Sequence, residues 1–256
     1  MQPKFMTMPL ITYQTLHPGL SIDCVIFGFY QKEIKVLVLK LKNFEKWSLP
    51  GGFVDQTKDV DDEATNILKR RTGLKNVFLR QFHLFGDVKR NSDAHINALF
   101  NSKIIDNDSL IWFKQRFVTV GYYALIPFSP SQIFTPDNLS ESCEWRSLKD
   151  IPEMILDHKE IIDSAHKTLK KELNYQPIGL NLLPEQFTMS ELQAVYETIL
   201  EKPLDRRNFR RKILNFAMLI PTKKQRVGGA YRSPYLYQFD LDKYHLALQN
   251  GLSSGW

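Results

Sequence analysis

The sequence predicts two unlike units: a strand-rich α/β or α+β unit over residues 1–175, and a small helix-led unit over residues 176–248. Three observations carry the division. Residues 21–40, SIDCVIFGFYQKEIKVLVLK, form two β-rich runs joined by a polar turn near Gln31-Lys32-Glu33. Residues 174–184, NYQPIGLNLLP, place two prolines and a glycine between periodic segments. Residues 202–232 then hold ten Lys or Arg and a single acid, Asp205, a net +9 in a chain of formal charge +6, so everything else nets −3. A chain of 256 residues, 43% apolar and 24% charged, has room for an ordinary buried core.

In the first unit the hairpin leads through Asn43–Pro50 into Gly51-Gly52, a tight loop. From Asp59 to Arg71 the spacing is helical: Ala64, Ile67, Leu68 and Arg71 share a side, and Gly73 stops the helix. Strand-like runs follow at Val77–Phe85 and Phe117–Pro127. Between them, Arg90 to Lys114 is polar with scattered aromatics and no clear period. It reads as an insertion or mobile loop, with a short helix at Leu110–Lys114. Cys143-Glu144-Trp145 reads as a short edge strand, and Leu156–Leu173 as a helix with Ile161, Ile162, Ala165 and Leu169 apolar. The connector carries Ile178, Leu180, Leu182 and Leu183, which implies that it packs against a domain.

The second unit opens on Thr188-Met189-Ser190-Glu191, a capping box in which hydroxyl and carboxylate satisfy opposite free N–H groups. Leu192, Val195, Tyr196 and Ile199 recur at three- and four-residue steps and give one apolar face. After a break at Glu201–Leu204, Asp205 caps a second helix, DRRNFRRKILNFAML, whose buried side is Phe209, Ile213 and Phe216. At about 100° per residue, Arg207 and Arg211 fall opposite Phe209, with Asn208 to one side and Arg210 to the other. Leu219–Thr222, the basic Gly-rich KKQRVGGAYRSP and Tyr235–Phe239 then form two strands around a turn, a wing.

Arg and Asn are the side chains that match guanine and adenine edges in a major groove, and further Lys and Arg match phosphates. The layout is that of a winged helix-turn-helix, and the implied partner is double-stranded DNA. Arg206, Arg207, Asn208, Arg210 and Arg211 would face the groove, with Lys223, Lys224, Arg226 and Arg232 along the backbone. The competing readings are a solvated basic surface, or use against protein, RNA or a membrane surface. The aromatic residues fit core positions better than stacking platforms, which disfavours single-stranded RNA. Cys24 and Cys143 form no CxxC pair, which argues against zinc and is compatible with a reducing cytoplasm. No apolar run approaches the ~18–20 residues of a membrane span, and the N-terminus lacks a secretory core.

The GG loop, the following helix and its Thr72-Gly73-Leu74 end resemble the Nudix box of nucleoside-diphosphate-X hydrolases, Gly-x5-Glu-x7-Arg-Glu-apolar-x-Glu-Glu-x-Gly-apolar. Aligned on Gly52, the spacing ends correctly at Gly73 and Leu74, and Leu68 fills the apolar slot. Every catalytic position departs: the first Glu is Lys58, the Arg-Glu pair is Asn66-Ile67, and the Glu-Glu pair is Arg70-Arg71. Pyrophosphate hydrolysis in such a site needs Mg²⁺ held by several carboxylates. Two cations there repel that metal, at a cost on the order of several kcal/mol. No catalytic residue, metal or cofactor is therefore expected. Asp59, Asp61, Asp62 and Glu63 stand at the helix's first turn, where they cap it and suit its dipole. The alternative is a Nudix-type pyrophosphohydrolase, acting on ADP-ribose or a related nucleoside diphosphate, with its metal site displaced onto those acids. Arg70 and Arg71 are either solvated charges at a helix end, or they meet an effector or form salt bridges that shape the pocket.

A degenerate Nudix domain followed by a basic winged helix is similar to the Nudix-related transcriptional regulators, including the Bacteroidetes type that controls sugar-utilisation genes. SIDCVIFGF, WSLPGGFV and QPIGLNLLPEQFTMSELQAVYETILEKPLDRRNFRRKIL carry the resemblance along nearly the whole chain. It implies an α/β/α Nudix sandwich with a mixed sheet, followed by a small winged helix-turn-helix. It also implies a homodimer on a palindromic operator and a small-molecule effector. Arg206 to Arg211 match the family's recognition-helix start and Gly228-Gly229 its wing turn. The cleft of such a fold would be lined by Phe53, Asp87 and Tyr122, with Arg70 and Arg71 nearby. A site depleted of metal carboxylates points to a sugar or sugar derivative rather than to ADP-ribose.

Overall fold

The structure is a computed structural model. It describes residues 13–90, 93–103, 105–129, 131–173, 176–177, 179–226 and 234–250. After a single 3-10 turn at Tyr13–Thr15, the long strand β1 (Leu16–Tyr30) turns directly into β2 (Glu33–Leu41). Two short strands, β3 (Trp47–Ser48) and β4 (Gly51–Asp55), lead into helix α1 (Val60–Thr72). Strand β5 (Arg80–Phe85), helices α2 (Asp93–Asn101) and α3 (Asn107–Phe113), strands β6 (Val118–Leu125) and β7 (Ser140–Ser147), and helix α4 (His158–Glu172) complete the first half.

The sheet runs β3-β2-β1-β6-β5, with β4 pairing β1 and β7 pairing β2. It is mixed: β1 and β6 are parallel, whereas β2 and β4 lie antiparallel to β1. The two-residue period of a strand decides which layer each side chain joins. Ile22, Cys24 and Ile26 of β1 pack with Ala64, Ile67 and Leu68 of α1. Val25 and Phe27 point the other way, into a core with Ile161, Ile162, Ala165 and Leu169 of α4. One helix on each face gives the α/β/α sandwich expected, and β1 is apolar on both sides because both are covered.

Two glycines are dictated by space and conformation. A Cβ on Gly51 would stand 2.3 Å from Asp23 Oδ1 and 2.9 Å from the Ile22 carbonyl. Gly73 holds φ at 78° and ends α1 through its N–H to the Lys69 carbonyl, the left-handed C-cap that glycine adopts without strain.

The 90–114 segment differs from expectation. Rather than a loop with one late helix, it forms α2 and α3, and Ile96, Leu99 and Ile105 pack with Leu41 in a third core. Each helix is about two turns long, too short to establish a period by eye, although Ile96, Leu99 and Phe100 keep the helical spacing. The Asp106 side chain caps α3 by accepting from the Ser109 N–H at 2.8 Å.

The second half comprises β8 (Phe187–Thr188), α5 (Met189–Leu200), α6 (Arg206–Asn215), β9 (Leu219–Gln225), β10 (Tyr235–Phe239) and α7 (Leu241–Asn250). Strands β8-β10-β9 form a small antiparallel sheet. The connector packs as expected, with Leu182 and Leu183 buried; Ile178 lies outside the described residues. Helix α6 is shorter than the sequence suggested. It ends at Asn215 because Ala217 takes φ 53°, after which Leu219 pairs with Phe239.

Candidate functional site

Helices α5 and α6 are fixed at their ends by side chains. Thr188 Oγ1 accepts from the Glu191 N–H at 3.2 Å, and Glu191 Oε2 accepts from the Thr188 N–H at 2.7 Å, the reciprocal cap read from the sequence. The break between the helices is held by two residues the sequence did not single out. Glu197 Oε1 accepts from the Leu204 N–H at 2.9 Å, and Gln193 Nε2 donates to the Leu204 carbonyl at 2.9 Å. Asp205 then caps α6, accepting from the Asn208 N–H at 2.9 Å.

Phe209 and Ile213 are buried, Phe209 edge-on to Tyr196 at 5.4 Å, and they turn the opposite face of α6 outward. Arg206, Arg207, Asn208, Arg210 and Arg211 are all exposed. Arg211 donates to Asn208 Oδ1 at 3.1 Å, whereas Arg206, Arg207 and Arg210 form no ion pair among the described residues. Unpaired guanidiniums on a rigid outward face are available to base edges and phosphates. In the wing, Arg226 is tied by an ion pair to Glu191, so the strand is fastened to the start of α5. Lys223 and Lys224 lie on β9, but their side chains, like Arg232 and Gly228-Gly229, fall outside the described residues.

Both arginines of the Nudix-box helix are paired, one within the helix and one with the segment between β6 and β7. Arg70 pairs with buried Glu63 at 2.9 Å, and Arg71 pairs with Asp137. Of the two sequence readings of this pair, salt bridging is the one seen. The acids act only in part as expected: Asp61, Asp62 and Glu63 stand in the first turn, where they suit the dipole, but Asp59 makes no side-chain cap and Asp61 accepts from the Tyr122 hydroxyl. Burial and that acid together push the Tyr122 phenol well above its usual range. Among the described residues no three His, Cys, Asp or Glu are grouped to hold a metal ion.

A second polar centre lies on the other face of the sheet. Arg90 is buried; its Nε donates to Asp157 at 2.8 Å and its Nη2 to Asp23 Oδ2 at 2.8 Å. Thr119 donates to the same Asp23 oxygen at 2.8 Å. The Leu49 N–H donates to His158 Nδ1 at 2.8 Å, which places the ring proton on Nε2, facing Asp23 Oδ1 at 3.4 Å. Burial lowers the His158 pKa, with Asp23 pulling in the opposite direction. The readable signal was Asp23 itself, one acid in the apolar run SIDCVIF.

Of the five residues expected at the cleft, Tyr122 reaches α1, the helix that carries Arg70 and Arg71, through Asp61, whereas Phe53 and Asp87 stand elsewhere in the fold. Phe53 packs against Trp112, Phe113 and Phe117; Tyr122 is in the α1 layer; Arg70 and Arg71 are paired on α1; Asp87 is exposed after β5.

A mixed-sheet Nudix sandwich joined to a winged helix whose second helix is basic and exposed defines a class of DNA-binding regulators. Residues 179–239 match the family described as the NrtR DNA-binding winged helix domain. The ADPR-responsive transcriptional repressor NtrR of Acinetobacter baylyi is 30% identical over 234 residues, 89% of this chain and 84% of that protein. Shewanella oneidensis NrtR, solved with a 27-mer DNA, superposes with a TM-score of 0.71 at 26% identity, over 93% of this chain and 99% of that one. A MutT/nudix family protein of Enterococcus faecalis shares the fold, with a TM-score of 0.64 at 20% identity over 88% of this chain and 87% of that one. The chain belongs to the NrtR family of transcriptional regulators, a Nudix-type domain followed by a DNA-binding winged helix. Among the described residues no helix is long and apolar enough to cross a membrane.

Proposed function

We propose that this protein represses transcription by gripping operator DNA with α6 and its wing. In this reading ADP-ribose, bound by the Nudix-type half without being hydrolysed, sets the strength of that grip. Residues 1–175 sense and residues 176–248 grip. The observation that carries the DNA reading is the outward row of Arg206, Arg207 and Arg210, free of carboxylate partners among the described residues. Loss of hydrolysis is supported by Arg70 and Arg71 standing where the metal-holding acids belong, each closed off by an ion pair. Two copies would present two such helices to a palindromic operator, one helical turn apart.

The effector reading rests on the A. baylyi relative, named as ADPR responsive. The sugar expected from the sequence gives way because that expectation joined two separate tasks. Carboxylates hold the metal that cleaves a diphosphate. Binding a diphosphate without cleaving it does not require those carboxylates, so their loss does not itself exclude ADP-ribose.

Fluorescence anisotropy with the chain's own promoter DNA tests the reading. The expected result is salt-sensitive duplex binding whose affinity changes roughly fivefold or more with ADP-ribose. Free pentoses and sugar phosphates should change it little, and Mg²⁺ should release no phosphorylated product from ADP-ribose. A response to a free sugar alone would restore the sugar reading. Mg²⁺-dependent turnover would make the protein a hydrolase, and binding without preference for duplex would make it an interaction module.

A further inference from the structure

The turn between β1 and β2 has two residues, Gln31 and Lys32, with φ of 48° and 61°. Such turns are relaxed with Asn-Gly or Asp-Gly; two long side chains in the left-handed region are strained. Strain of this kind persists where surrounding structure holds it, and it marks positions worth a functional question. Here the Lys32 carbonyl accepts from Thr198 Oγ1 of α5 at 3.4 Å, so the tip of the sensing half rests on the reading half. Lys32 then shares one shallow cavity with Lys202 and Pro203 of the α5–α6 turn, and a neighbouring one with Arg206.

Glu197 and Glu201 line the first cavity beside the two lysines, and each is already held by other donors. Glu197 accepts from the Leu204 N–H and from Gln193, Glu201 pairs with Lys170, and Glu191 pairs with Arg226. Lys32 and Lys202 are exposed and form no ion pair among the described residues. In a helix-turn-helix the start of the second helix enters the major groove, so backbone phosphates pass beside the turn that precedes it. A lysine suits that position, as a point charge that holds phosphate without reading sequence.

We propose that Lys32, from the Nudix-type half, joins Lys202 in contacting the phosphate backbone of the duplex that α6 reads. The wing would hold one flank of the groove and this pair the other. The sensing half would then touch the DNA directly. The inference rests on α6 entering operator DNA.

Lys32→Asn removes the charge while placing in the turn a residue that tolerates positive φ, so the hairpin is kept. Promoter affinity is measured over a potassium chloride series for the full chain and for Lys32→Asn, Lys32→Arg, Lys202→Gln and Arg207→Ala. For each copy bound, one lost phosphate contact should reduce the slope of log K against log salt by about 0.9 and weaken binding roughly threefold at moderate salt. Lys32→Arg should retain the native slope, and Lys32→Asn with Lys202→Gln should lose about twice as much. An unchanged slope and affinity for Lys32→Asn, with Arg207→Ala impaired, would overturn the Lys32 assignment alone. If neither variant differs from the native chain, or if the native chain ignores the promoter, it is the α6 reading that fails.

Discussion

Arg70 and Arg71 are neighbours on α1, as Arg206 and Arg207 are on α6, yet the two helices treat their arginines oppositely. In the front half Arg70, Arg71, Arg80 and Arg90 meet Glu63, Asp137, Glu172 and the Asp23–Asp157 pair. On α6, Arg206, Arg207 and Arg210 meet no acid among the described residues. The acids around α6 are spent on architecture: Glu191 on its cap and Arg226, Glu197 on the turn, Asp205 on the start of the helix. An arginine becomes structural or available according to whether the fold hands it a carboxylate. Counting arginines does not distinguish the two cases.

The contrast can be broken most forcefully at Arg90. Arg90→Met strands Asp23 and Asp157 as buried, unpaired charges, and should cost about 3–5 kcal/mol in urea unfolding. Adding Asp23→Asn and Asp157→Asn should recover part of that loss. On the bare side, Arg207→Ala with Arg211→Ala should weaken operator binding roughly a hundredfold or more, since each base-facing arginine is worth about 1–3 kcal/mol. Its melting temperature should stay at the native value. Equal destabilisation by both sets would erase the distinction.

Acidity offers a subtler probe. Burial is the leading cause that lowers the pKa of His158, His166 and His95, the last to about 4, and all three belong to the front half. Below an unfolded value of about 6.5 the unfolded chain binds more protons than the folded one, so stability is full above that pH and falls as pH drops towards the folded values. Melting temperature should decline from pH 7 to 5, and His158→Gln should flatten the profile. The smallest effect belongs to Lys159→Ala, whose ion pair with Asp163 is exposed on both sides; less than about 1 kcal/mol is expected in thermal unfolding.

Much of this was legible in the residues. The hairpin, the Gly73 stop, the capping box at Thr188 and the apolar stripe from Leu192 to Ile199 are local signals, and the structure keeps each of them. Two kinds of information were not legible. Helices of two turns, as at Asp93–Asn101, give too few apolar positions to declare a period. Partnerships across long sequence separations, such as Arg90 with Asp23 or Arg71 with Asp137, leave no spacing to read. The outward face of α6 was legible because local spacing around Phe209 and Ile213 sets it. The front half was opaque because its charged residues are defined by the distant partners they find.

Helix α4 is walled by the sheet on one side and by α5 on the other. One apolar core runs from Val25 and Phe27 through Ile161 and Leu169 to Leu192, Tyr196 and Phe209. Among the described residues the two halves share this core, so a metabolite bound by the front half, as proposed, would reach α6 through close-packed side chains. Calorimetry should then record a single melting peak, and a cavity cut at Leu169 should loosen the hold on DNA and the response to metabolite together.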